Sequence, residues 1–336
     1  MRRVLWRSCA SCSALLVGVL LVSWGCSSKD NGTSSSVTIA QACADVAAAR
    51  CQKMQSCNPQ GIVNTYGDLA TCESRQSTTC VSNLGAPQTA NTASRTEECA
   101  QALPATSCPD FELGNTPPAC RPPSGPRDAG SPCSVSAQCA TAFCLIEKTS
   151  SCGVCAPAPV VGASCANNGC GPGLVCDSAT QLCAAPVPSG GGCEDSSVCT
   201  PGLTCIAAAG ADGGTCVPLA TTVGAHCDIA DGGTRCDGRQ GLYCNVPEGR
   251  VCDRVGTAAA TLACGTIDGG VVDCIAGAFC QRPGSSRSGI CVAPGVEGGS
   301  CDTADGPTCS TPARCVLATA GGTTGTCTTT SPAVCN

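Results

Sequence analysis

Between residues 37 and 110 the apolar positions recur at three- and four-residue steps, and beyond residue 110 they do not. Ile39, Cys43, Val46, Ala47, Cys51 and Met54 share one helical face, behind a Thr38-Ile39-Ala40-Gln41 segment with the form of a capping box. Asn58-Pro59-Gln60-Gly61 is expected to end that helix. A second helix is expected from near Asp68 through Leu69, Cys72 and Cys80 to Asn83-Leu84-Gly85. A third opens at Ser94-Arg95-Thr96-Glu97 and runs past Cys99 to Leu103, before Pro104. Further on, apolar residues stand singly or in short groups beside cysteines, among Gly, Pro and Asp residues that favour turns.

Cys43/Cys51 and Cys72/Cys80 share an eight-residue step, a helix rise of about 12 Å with both thiols on one broad face. Two antiparallel helices clasped by Cys43–Cys80 and Cys51–Cys72 satisfy this spacing. Cys57, Cys99, Cys108 and Cys120 complete eight cysteines, which allow about a hundred pairings, and spacing alone does not choose among them. The helical segment is taken as residues 37–116. Residues 117–132 hold six prolines, composition for a semi-rigid spacer.

From residue 130 to 336 the chain repeats. A unit opens on Gly followed by Cys, as at Gly130/Cys133, Gly162/Cys165, Gly190/Cys193, Gly224/Cys227 and Gly298/Cys301. A turn and an apolar approach lead to a later cysteine, as in Pro172-Gly173-Leu174-Val175-Cys176 and Pro201-Gly202-Leu203-Thr204-Cys205. Six units follow: 130–157, 162–186, 190–218, 224–252, 261–294 and 298–336, the fourth and fifth readable also as one unit with an insertion. The first three contain Cys133, Cys139 and Cys144; Cys165, Cys170, Cys176 and Cys183; and Cys193, Cys199, Cys205 and Cys216. A unit of about 30 residues cannot bury a core. Two disulfides and a short hairpin with Gly at its turns would hold it. The fold class expected is therefore a set of small disulfide-rich modules. A helical eight-cysteine domain precedes an array of short β-hairpin, cysteine-knotted repeats, in which each unit touches only its neighbours.

Composition adds a compartment. Of 336 residues 37 are Cys, while Trp, Tyr and Phe number two, two and three. Such a load persists only where thiols oxidise, which points to export. Net charge is -6 and no basic run follows the first seven residues, which argues against a nucleic-acid partner. Arg2, Arg3 and Arg7 precede an apolar run, Ala14 to Val22, too short to span a bilayer. The run ends Val22-Ser23-Trp24-Gly25-Cys26, which resembles the lipobox of bacterial lipoproteins. The resemblance implies a signal peptide at 1–25, lipidation at Cys26, and a Ser/Gly-rich tether at 26–36. Ordinary signal-peptidase cleavage is the alternative. Parity favours lipidation: setting aside Cys9, Cys12 and Cys26 leaves 34 cysteines, which can pair completely.

The spacing Cys193-x5-Cys199-x5-Cys205, with Gly190 before it and Gly214-Thr215-Cys216 after, resembles the N-terminal cysteine-rich region of Dickkopf-type proteins. A looser form recurs at Cys133/Cys139/Cys144 and Cys274/Cys280/Cys291. The whole layout is similar to cysteine-rich lipoproteins of myxobacterial type. These resemblances imply an extracellular binding module without enzymatic activity.

Catalytic chemistry has little to draw on. His226, the single histidine, is expected at an exposed turn. Cys152-Gly153-Val154-Cys155 is the one C-x-x-C, and it ends a unit rather than joining a strand to a helix. Paired C-x-x-C or His sets for zinc are missing from the sequence. Asp212, Asp231 and Asp268 head Gly-Gly turns, and Asp228, Asp237, Asp302 and Asp305 lie near such turns. Oxygen ligands suit calcium, but plain turns explain them better. The expectation is a lipid-anchored protein of the cell envelope, at the outer membrane or cell surface. It would bind an extracellular protein or glycan without a cofactor or metal. A passive envelope spacer is the alternative, and a secreted enzyme a distant third.

Overall fold

The computed structural model describes residues 37–166, 169–207, 213–228, 233–332 and 334–335. The signal peptide, Cys26, the tether, Asp212 and Asp231 lie outside the described residues.

Five helices come first: α1 (Ile39–Cys57), α2 (Pro59–Tyr66), α3 (Leu69–Leu84), α4 (Ala93–Ala102) and α5 (Cys108–Glu112). The Thr38 hydroxyl accepts from the Gln41 N–H at 3.2 Å, but the Gln41 side chain turns to Asp45, so half of the expected box forms. Asn58 does not end the helical run. Its side chain accepts from the Gly61 N–H at 2.8 Å, and Pro59 occupies the first turn of α2. The residues that signal a stop also serve as a start, because a capping Asn before Pro preorganises a new helix. α4 is capped by Thr92, not Ser94, through the Arg95 N–H at 3.2 Å.

Bridges Cys43–Cys80 and Cys51–Cys72 fasten α1 to α3. Cys57–Cys108 ties the end of α1 to α5, and Cys99–Cys120 ties α4 to the proline-rich segment. The apolar core here is small: Ile62 and Tyr66 pack on the Cys51–Cys72 bridge with Met54 and Leu69.

Each of six later units carries two crossed bridges, first cysteine to third and second to fourth. In chain order they are Cys133–Cys144 with Cys139–Cys155, Cys165–Cys176 with Cys170–Cys183, and Cys193–Cys205 with Cys199–Cys216. Then come Cys227–Cys244 with Cys236–Cys252, Cys264–Cys280 with Cys274–Cys291, and Cys301–Cys315 with Cys309–Cys327. The fourth and fifth units are thus separate. The fifth starts at Cys264, so Cys274, Cys280 and Cys291 fill its second to fourth places, one step out of register with Cys193/Cys199/Cys205.

An antiparallel hairpin in every unit sets the third and fourth cysteines directly opposite, as with Cys144 and Cys155 or Cys315 and Cys327. Their sulfurs bond elsewhere, so the two bridges stack and make the unit's interior. Cys133, Cys139 and Cys155 form one such cluster, with Cys144 packed against it.

The opening glycine has a fixed duty. Gly130, Gly162, Gly190, Gly224 and Gly298 have φ between 78° and 84°, and each donates its N–H to the carbonyl of its unit's fourth cysteine at 2.8 Å. The fourth cysteine's N–H returns to the carbonyl of the residue after the glycine, as from Cys155 to Ser131. Positive φ is what glycine tolerates at no steric cost. The fifth unit makes the same pair of bonds with Thr261, at φ 76°.

Two expectations fail. The units do not touch only their neighbours: Cys152 of the first bonds Cys335 of the sixth. Around that bond the Leu317 N–H reaches the Lys148 carbonyl at 3.0 Å, and Arg314 donates twice to the Glu147 carbonyl. A free end would fray from units this small, and a cross-link removes that freedom. Nor is the semi-rigid spacer expected at 117–132 left undocked. Its start is held by Cys99–Cys120. Arg127 pairs in parallel with Cys139, and the Gly125 N–H meets the Cys139 carbonyl at 2.8 Å, so the segment's end belongs to the first unit. A β-carbon on Gly125 would run into the Ala137–Gln138 backbone. Composition of a spacer does not prevent docking when the backbone finds a strand to pair with.

The glycines that approach the third cysteines also place units on the helices. Gly173 donates to the Leu113 carbonyl at 2.9 Å and Gly277 to the Asn64 carbonyl at 2.6 Å. In the fourth unit, Arg239 reaches Glu112 at 2.9 Å while Asp237, almost fully buried, holds the same guanidinium at 2.7 Å. That hydrogen bond to Asp237 pushes the Arg239 pKa above its usual value.

Candidate functional site

A cleft of about 440 Å³ opens between the helices and the first unit. One wall comes from α1 and α3, through Val46, Arg50, Gln76, Thr79 and Asn83, and from Asn91, before α4, and Arg95 in it. The facing wall is the first unit, through Ser134, Val135, Ser136 and Ile146. Arg121 and Pro122 of the proline-rich segment complete the lining.

The walls are held apart and in register by hydrogen bonds. Gln138 is fully buried. Its amide oxygen accepts from the Ser134 N–H at 2.8 Å and the Val135 N–H at 3.2 Å, while its Nε2 donates to the Pro87 carbonyl at 2.8 Å. The Ala90 N–H donates to the Ala137 carbonyl at 2.9 Å, and the Arg127 Nε to the Gln88 side chain at 2.9 Å. Bridges Cys43–Cys80, Cys99–Cys120 and Cys133–Cys144 place Cys80, Cys99, Cys120 and Cys144 in the lining, which makes the cleft preformed rather than adaptable.

Its chemistry is uneven. The described lining holds three arginines and no carboxylate, in a chain of net charge -6. Arg95 spends its Nη2 on the Pro118 and Arg121 carbonyls at 2.7 and 3.0 Å, and its Nε is buried without a hydrogen-bond partner. Arg50 is exposed and lies 5.8 Å from the centre of the Phe111 ring. Arg121 donates from its Nε to the Thr116 carbonyl at 3.1 Å. Amides and hydroxyls make up most of the remaining polar surface. None of these residues stands out in sequence: Arg50, Arg95 and Arg121 are far apart along the chain and converge through Cys43–Cys80 and Cys99–Cys120.

The residues singled out for other chemistry are spent elsewhere. Cys152 and Cys155 bond Cys335 and Cys139 rather than each other. Trios such as Cys133/Cys139/Cys155 and Cys193/Cys199/Cys216 bring their sulfurs within 4.8 Å. Every one of those sulfurs is in a disulfide, which removes the thiolate a metal would need. His226 is exposed, in a β-bridge with Val251. Asp228 pairs with Arg250 at 2.6 Å, and Asp302 accepts from the Ala304 N–H of its own turn at 2.9 Å. Asp268-Gly269, both at positive φ, make the two-residue turn between strands Ala263–Ile267 and Gly270–Cys274. Among the described residues, no helix is long and apolar enough to cross a membrane. Comparison with known proteins yields no matching family model, no matching curated protein and no matching solved structure.

Proposed function

We propose that this chain is an exported, lipid-anchored surface protein that captures an extracellular partner, protein or glycan, in the cleft between its helices and its first unit, without catalysis. The observation that carries the reading is the cleft itself: a preformed hollow with unspent donors, bounded by disulfides on both walls. Rigid walls lower the ordering cost of binding. The crossed order of the bridges supports reading the units as knotted modules of the extracellular type that the Dickkopf-like spacing implies. Lipidation at Cys26 would place the cleft outside the membrane. A passive spacer needs reach, and the bond between Cys152 and Cys335 turns the array back on itself, which weighs against that role.

The test uses the mature chain and an Asn83→Trp variant, which fills the cleft from an exposed position on α3. Both are immobilised and exposed to solubilised envelope material from the producing cell. Saturable capture by the parent and its loss in the variant supports the proposal. Equal capture by both, or none by either, overturns it.

A further inference from the structure

We propose that the cleft ligand is an acidic saccharide, recognised through a carboxylate at the arginines and through its hydroxyls at the surrounding amides. The inference rests on the reading of the cleft as a binding site. Three observations point to an anion. Arg50, Arg95 and Arg121 line the cleft and no described carboxylate does. Among the described residues, none of the three guanidiniums is in a salt bridge. The Arg95 Nε is buried without a hydrogen-bond partner, so the protein leaves this guanidinium at the cleft wall under-satisfied. An arginine fork matches a carboxylate in plane and spacing, and the low dielectric of a cleft strengthens the attraction.

The rest of the lining suits a polyol. Asn83, Asn91 and Ser136 bring groups that can donate or accept, as a saccharide hydroxyl also can, whereas the Thr79 and Ser134 hydroxyls already donate to the Arg75 carbonyl and to Gln138 Oε1, and Gln76 Nε2 donates to the Tyr66 hydroxyl. The Asn83 amide, exposed at the cleft, makes no side-chain hydrogen bond among the described residues, so its donor and acceptor are unspent. A peptide would be expected to use a free strand edge or deep apolar pockets for its side chains. Here the apolar lining is made of small or branched aliphatic side chains, between polar ones.

The experiment measures binding of the full mature chain by titration calorimetry to three probes. These are a short oligogalacturonate, the same oligomer reduced at its carboxyls to neutral galactose units, and a Glu/Ser peptide of matched charge. Arg50→Gln is the main variant, because Arg50 is exposed and forms no described protein hydrogen bond; Arg121→Gln is the second. Circular dichroism and the thermal midpoint confirm that both fold.

Oligogalacturonate binding that weakens about tenfold or more in Arg50→Gln, with the neutral oligomer weaker by a similar factor, is the expected result. Equal affinity for charged and neutral oligomers would overturn the assignment of an acid. Arginine-dependent binding of the peptide in preference to both sugars would overturn the assignment of a saccharide. Failure of all three probes overturns the acidic-saccharide inference. The Asn83→Trp capture experiment then separates the two levels: cleft-dependent capture leaves the binding reading standing with another ligand, and its absence removes both.

Discussion

Opening the bond between the first and last units is the most direct test of how the array is held. The perturbation is Cys152→Ser together with Cys335→Ser, which leaves no unpaired thiol behind. The two positions are 183 residues apart. The crossed bridges of the intervening units short-circuit much of that distance, so the covalent route between them is roughly 100 residues, for which loop-closure entropy gives about 4.7 kcal/mol. The bonds of Leu317 to Lys148 and of Arg314 to Glu147 remain available in the variant, so the loss resides in the unfolded chain and not in native contacts. The assay is guanidinium unfolding without reductant, on parent and double variant, with slopes compared. A fall of about 3–5 kcal/mol at unchanged slope is expected. Amide exchange at Leu317 should quicken in the variant, since its bond to Lys148 then opens without breaking a cross-link. A fall below about 1 kcal/mol would refute the reasoning, because it would mean that the other bridges already keep the unfolded chain as compact as the closed one.

Thr261→Gly should raise stability by about 1 kcal/mol in the same assay, since a β-branched residue there adopts the φ of 76° that five other units give to glycine; a loss would show that the Thr261 side chain contributes more than its backbone strains. Gln138→Ala should cost about 2–3 kcal/mol by leaving the Ser134 and Val135 N–H groups and the Pro87 carbonyl without their partner, and calorimetry should show cleft binding weaken with it. Asp68, Asp110, Asp177, Asp195 and Asp302 are held below the usual carboxylate range, first by donors from Thr71, Ser107, Thr180, Ser197 and Ala304 respectively. A depressed folded pKa gives stability that is present above the unfolded value and lost as pH falls through the folded one. The thermal midpoint should therefore stay level from neutral pH and fall below about pH 4; a decline already under way near pH 6 would refute the assignment to these carboxylates.

Much of the modular plan is visible in the chain because it follows from steric and covalent necessity. Gly130, Gly162, Gly190, Gly224 and Gly298 mark the unit openings, since few other residues accept that φ. The scarcity of large apolar side chains after residue 110 foretells interiors made of sulfur. The fifth unit, 261–294, lacks the opening glycine because Thr261 stands in its place, and the looser spacing match therefore takes Cys274 for a first cysteine where the bridges start at Cys264. Asn58-Pro59 suits both the end of one helix and the start of the next, so the sequence carries no separate signal for α2. The docking of 117–132 had no sequence signal, because backbone pairing of Arg127 with Cys139 depends on which strand edge is near and not on side-chain type. The cleft was hidden for a related reason: Arg50, Arg95 and Arg121 are brought together by bridges whose partners spacing alone cannot choose.

Within the units every bridge spans 11 to 18 residues, so each can close soon after its own cysteines arrive. Cys152 is different, for it must wait for Cys335, 183 residues further along. In a chain delivered N-terminus first to an oxidising compartment, Cys152 stays a reactive thiol until Cys335 arrives. A molecule stalled or clipped before Cys335 would carry that thiol permanently. Its alkylation by a membrane-impermeant maleimide would therefore count immature copies, and disulfide isomerases could use the same mark to retain them.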